Sequence, residues 1–131
     1  MNYLIDTNVL IDFFHGKENV AKKLKLLEEK KLTISAITSS EIYRGAYKTK
    51  IAEKHIKDFE NFLADFSINV LPINESVAKK YGWLMSYLEK KGVRPSAFDV
   101  LIAATAIIYN LTLLTEDKGF LNMEGGKVEY L

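Results

Sequence analysis

Apolar residues are arranged along the chain in two alternating kinds of run. Short, dense runs rich in Ile, Leu or Val occur at Tyr3 to Asp6, Leu32 to Ser35, Ile68 to Leu71, Leu111 to Thr115 and Lys127 to Tyr130, and read as strands. Between them, apolar residues return every three or four positions, the spacing of a helix with one buried face. Val20, Leu24 and Leu27 mark one helix, and Ile56, Phe59, Phe62, Leu63 and Phe66 mark another. A further helix begins at Asn74, whose side chain can cap the first turn. Val77, Tyr81, Leu84 and Leu88 line its inner face, and Gly92 stands where a left-handed C-terminal cap belongs. After the Gly92-Val93-Arg94-Pro95 turn a last helix runs from Ser96 to Tyr109, with Asn110 as its terminator. Strands alternating with helices predict an α/β fold, a central and mostly parallel sheet of four or five short strands flanked by helices.

A chain of 131 residues has room for one domain, residues 1–131, and buries roughly two-thirds of its unfolded surface. With 48% hydrophobic and 27% charged residues it has the composition of a globular protein rather than a disordered or fibrous one. The absence of cysteine excludes disulfides, thiolate metal sites and a cysteine nucleophile, and fits a reducing compartment. No basic stretch and cleavage site mark a signal peptide around Asn2-Tyr3-Leu4-Ile5. The most apolar segment, Val100 to Tyr109, is far shorter than the ~20 residues that span a bilayer. The expected location is cytoplasmic, with no membrane partner. Net charge is +1, so a polyanion would have to meet a local basic patch. Lys22, Lys23, Lys25, Lys30 and Lys31 form one basic stretch, and Lys79, Lys80, Lys90, Lys91 and Arg94 another. Each reads first as the solvated face of a helix.

Four acids fall at the ends of predicted elements. Asp6 closes the first strand, Asp117 lies just past the fourth, and Glu41 and Asp99 are expected in the first turns of helices. In an open parallel sheet the crevice beyond the carboxyl ends of the strands is where ligands bind, and all four acids can reach it. Plain structural roles compete. Thr38-Ser39-Ser40-Glu41 and Ser96-Ala97-Phe98-Asp99 match a capping box or its acidic variant, and Asp117 suits a turn. Asp6 is harder to explain in this way, because aspartate is depleted in strands and a buried carboxylate needs a partner to offset desolvation.

Asp6-Thr7-Asn8-Val9-Leu10-Ile11-Asp12 resembles the N-terminal signature of PIN domains, especially the VapC-type toxins of toxin–antitoxin pairs. Three further segments follow in that family's order. Ser39-Ser40-Glu41-Ile42-Tyr43-Arg44-Gly45-Ala46 resembles the segment with the second acid, and Phe98-Asp99-Val100-Leu101-Ile102-Ala103-Ala104 the one with the third. Leu113-Leu114-Thr115-Glu116-Asp117-Lys118-Gly119-Phe120 resembles the last, where either Glu116 or Asp117 could face inward and Asp117 is the expected one. Each motif is short, but four in order span nearly the whole chain.

Clustered carboxylates repel one another and must take up protons or bind a cation. Oxygen ligands select Mg²⁺ or Mn²⁺, and with only His15 and His55 available, each expected at the surface, zinc is disfavoured. The resemblance implies a metal-dependent endoribonuclease in which Asp6, Glu41, Asp99 and Asp117 are the catalytic and metal-binding acids. Cleavage would leave a 5′-phosphate without using the ribose 2′-hydroxyl. Thr7, Asn8 and Thr115 would orient the carboxylates, unless their hydroxyls and amide serve local turns. RNA would need a basic rim, for which Arg44, Lys48, Lys50 and Arg94 are the candidates. The family further implies a homodimer and a small antitoxin partner lying over the site. A second reading is a catalytically inactive PIN-like module that binds RNA or protein, which would be expected to lack one or more acids. An aspartyl-phosphate enzyme fits worse, since Asn8 stands where an Asp-x-Asp motif needs its second acid.

Overall fold

The computed structural model describes residues 2–119 and 125–131; Phe120, the last residue of the fourth motif, lies outside them. In chain order the elements are β1 (Asn2–Ile5), α1 (Thr7–Phe14), α2 (Glu18–Leu26), β2 (Lys31–Ser35), α3 (Ala36–Tyr47), α4 (Ala52–Asp65), β3 (Asn69–Leu71), α5 (Glu75–Lys90), α6 (Ala97–Ile108), β4 (Thr112–Thr115) and β5 (Lys127–Tyr130). The strands form one five-stranded sheet in the order β3-β2-β1-β4-β5, and every pairing is parallel.

Strand periodicity divides the core into two layers, because successive side chains point to opposite faces. Tyr3 and Ile5 of β1, Leu32 and Ile34 of β2 and Leu114 of β4 pack on one face with Val9, Leu10, Val20, Leu24, Phe59 and Phe62 from α1, α2 and α4. Leu4 and Leu113 point the other way and meet Leu84, Leu88, Val100, Ile102 and Ala103 from α5 and α6. No helix among the described residues is long and apolar enough to cross a membrane.

Both caps expected of α5 and the C-terminal cap expected of α6 are present. Asn74 accepts a hydrogen bond from the Val77 N–H at the start of α5. At its end Gly92, with φ +79°, lets its own N–H reach the Glu89 carbonyl and that of Val93 reach Leu88. Asn110, with φ +55°, does the same for α6, where the Leu111 N–H bonds to the Ala106 carbonyl. That bond takes Leu111 out of β4. The Ile68 N–H, held by the Leu63 carbonyl at the end of α4, likewise starts β3 one residue later than the apolar run. β1 ends at Ile5 instead of Asp6, because Asp6 turns the chain into α1.

Candidate active site

The strand order puts β1 between β2 and β4, so connections leave β1 and β4 in opposite directions along the sheet. A crevice at such a switch point, on the carboxyl side, is the usual ligand site of an open parallel sheet. Asp6 follows β1 there and Thr115 ends β4 beside it. The two are linked by the Asp6 N–H on the Leu114 carbonyl and by the Thr115 hydroxyl donating to Asp6 Oδ2 at 2.7 Å. Asp6 is also the N-cap of α1, its Oδ1 accepting from the Thr7 N–H at 2.8 Å. Thr115 Oγ1 in turn accepts the Asp117 N–H, so one chain of bonds runs from the β4 turn into the Asp6 carboxylate.

Glu41 reaches the crevice by another route. Its position corrects the sequence expectation: α3 starts at Ala36 with Ser35 as N-cap, so Glu41 lies in the second turn and caps nothing. Several Ser and Thr residues in a row offered alternative starts, and the end of β2 at Ser35 selects the earliest. Thr38, expected to cap, is instead buried against α1, where its hydroxyl lies 2.9 Å from that of Thr7. Thr7 gives its single proton to Glu41 Oε1 at 2.8 Å, so Thr38 must be the donor to Thr7. This contact of Thr38 has no signal in the sequence, since its partner is 31 residues away.

Asp99 is in the first turn of α6 as expected, but Ser96 at the N-cap makes no side-chain cap bond. Asp117 is exposed and closes a turn, its Oδ1 accepting the Gly119 N–H at 2.8 Å; a Cβ at residue 119 would sit 3.0 Å from that oxygen. Glu116 turns to Asp12 and Lys17, and hydrogen bonding to Asp12 is the main cause that raises the Glu116 pKa. That acidic pair was not anticipated.

Electrostatics tie the four acids together. Asp6 is only 2% exposed, and its pKa is pushed up to about 6. Burial is the largest cause, the Thr115 and Thr7 bonds oppose it, and the charges of Asp99 and Asp117 add to it. Asp99 is half-buried and also raised, first by burial and then by Asp117 and Glu41. Among the described residues no lysine or arginine forms an ion pair with any of the four. Nor do any three acidic or histidine side chains close directly around an ion-sized space. A donor set of oxygens alone, within electrostatic range but not in mutual contact, suits a hard cation that keeps several waters and uses one or two carboxylates, as Mg²⁺ does.

Among the remaining predicted residues, Asn8 is exposed and lies outside the hydrogen-bonded chain. Arg44, Lys48, Lys50 and Arg94 are exposed, the first three on or just after α3 and the last in the α5–α6 turn. His15 and His55 are exposed as expected. Both line a cleft of about 480 Å³ between α1, α3 and α4, where Glu41 meets an apolar floor that includes Ile11, Phe14, Ile42 and Phe59.

Comparison with known proteins bears on these motifs. The PIN domain profile matches residues 3–126. Ribonuclease VapC1 of Haemophilus influenzae strain R2866 is 31% identical over 119 residues, covering 89% of this chain and 87% of that protein. The tRNA(fMet)-specific endonuclease VapC of Shigella flexneri is 26% identical over 126 residues, covering 96% and 94%. Among solved structures, VapBC2 from Rickettsia felis, bound to a DNA fragment from its promoter, superposes with a TM-score of 0.91. It is 28% identical, over 100% of this chain and 99% of that one.

Proposed function

The chain belongs to the PIN domain family, and from that premise we propose that it is an endoribonuclease acting as the toxin of a toxin–antitoxin pair. The observation that carries the chemistry is the uncompensated charge at the switch point: a buried Asp6 in the field of Asp99 and Asp117, with Glu41 beside Asp99. Asp6, Glu41, Asp99 and Asp117 would hold Mg²⁺ or Mn²⁺, directly or through water. When bound, the ion supplies the positive charge that activates water and neutralises the phosphate.

The chain's own residues supply orientation. Thr7 and Thr115 fix both Asp6 oxygens, and Thr7, held by Thr38, turns Glu41 toward the crevice. Asp117 completes the acidic set or orients the attacking water. Arg44, Lys48, Lys50 and Arg94 form the rim that meets flanking phosphates. No side-chain nucleophile is required, and the inactive-module alternative is not favoured, because no acid has been lost. The relatives' complexes support a cognate antitoxin for this chain, and the apolar cleft beside Glu41 offers a segment of it a surface on which to bury side chains. A homodimer completes the proposal.

The test is digestion of RNA by purified protein with added Mg²⁺ or Mn²⁺, repeated with chelator and with Asp99→Asn. Cleavage that chelator and the substitution each abolish is the expected result. Cleavage at the wild-type rate by folded Asp99→Asn would remove that residue from the mechanism.

A further inference from the structure

The basic stretch on α5 holds more than a solvated helix face. Trp83, 52% exposed, stacks on Tyr87 with ring centroids 5.1 Å apart and planes 8° from parallel. Lys80 Nζ sits 4.6 Å from the centre of the Trp83 ring, and Lys91 Nζ 4.5 Å from that of Tyr87. The four side chains form a ladder, cation–ring–ring–cation, that climbs roughly 16 Å along the helix axis. With Ser76 these positions share one face by helical spacing, and none of them is acidic. The upper end of the ladder leads through the Gly92–Pro95 turn, with exposed Arg94 and Phe98, to Asp99 in the first turn of α6.

We propose that this ladder is a binding platform for single-stranded RNA, on which unpaired bases flanking the cleavage site stack while Lys80 and Lys91 take the adjacent phosphates. The proposal rests on the nuclease reading above for its choice of polyanion. Lysine over the exposed Trp83 ring is a weak contact, and base stacking on that ring, backed by half-buried Tyr87, is stronger. A nucleotide that displaces a lysine from the ring gains the stack and hands the freed ammonium a phosphate. Charge argues against a second copy of the chain as the occupant, since two such faces would bring lysines against lysines.

Trp83 is the sole tryptophan, so its fluorescence reports on the platform directly. Single-stranded RNA titrated into the full-length protein in chelator, where cleavage is suppressed, should quench Trp83, and duplex RNA of the same sequence should not. By anisotropy of labelled RNA, Trp83→Ala should weaken binding about tenfold and Trp83→Phe much less. The double substitution Lys80→Ala/Lys91→Ala should flatten the salt dependence by about 0.7 log units per lysine. Melting curves matching wild type would confirm that the variants fold. Unchanged affinity and no quenching, with metal-dependent cleavage intact, would overturn the platform and leave the nuclease reading standing. Loss of self-association in Trp83→Ala, with RNA affinity unchanged, would assign the face to a second copy and also overturn it.

Discussion

At the residue scale the decisive feature is a carboxyl group held where it does not ionise easily. Asp6, with its pKa raised from 3.8 to about 6, favours the protonated native state. Its contribution to stability is fully present below pH 3.8 and is lost as pH rises through 6; the full shift corresponds to about 3 kcal/mol. Metal-free protein should therefore melt at a higher temperature near pH 5 than at pH 7. Asp6→Asn, which cannot ionise, should melt higher than wild type at pH 7 and lose most of that pH dependence. A wild type whose melting temperature rises from pH 5 to pH 7 in chelator would contradict the electrostatic account. Thr7 tests orientation separately. Thr7→Val strands the buried Thr38 hydroxyl at a cost of about 1–3 kcal/mol. It also frees Glu41, so cleavage should fall about 10- to 100-fold. Thr7→Ser should keep both, and equal activity in Val and Ser variants would remove the hydroxyl from the site. An acid straight after Tyr-Leu-Ile made Asp6 conspicuous in the sequence, and Asp99 stood at a recognisable helix start. Thr38 read only as a helix cap, because tertiary packing alone brings it to Thr7.

At the scale of elements, what the sequence made legible was the caps. Asn74, Gly92 and Asn110 each do what their chemistry allows, because cap preferences are local and depend little on the rest of the fold. The start of α3 was not legible. Ser35, Thr38, Ser39 and Ser40 are all competent caps, and the pairing of β2 with β1 and β3 decides among them. Boundaries at Ile68 and Leu111 shifted for the same kind of reason, a helix-ending bond claiming an N–H that the strand would otherwise use. Asn110 supports a direct test, since its left-handed backbone costs a residue with a Cβ about 1–2 kcal/mol. Asn110→Ala should destabilise the protein by about 1 kcal/mol and Asn110→Gly should be neutral or stabilising. Denaturant midpoints measure both, and an Ala variant as stable as the Gly variant would contradict the cap assignment.

At the scale of the whole molecule the sequence supplied the alternation of strands and helices, and with it the parallel sheet. It could not supply strand order. Short strands carry little pairing preference of their own, and the choice of neighbours is made by crossover connections and by which helices cover which face. The order β3-β2-β1-β4-β5 brings into electrostatic range acids that stand 35, 58 and 18 positions apart along the chain (Asp6 to Glu41, Glu41 to Asp99, Asp99 to Asp117). Family resemblance names the same four acids, because four motifs in sequence carry topology that no single motif does. The central claim is that these carboxylates act as one cation-binding unit built around Asp6. Calorimetric titration of Mn²⁺ into wild type and Asp6→Asn at pH 7 measures it most directly. Saturable binding by wild type that Asp6→Asn abolishes is the predicted result; indistinguishable titrations of the two folded proteins would contradict it.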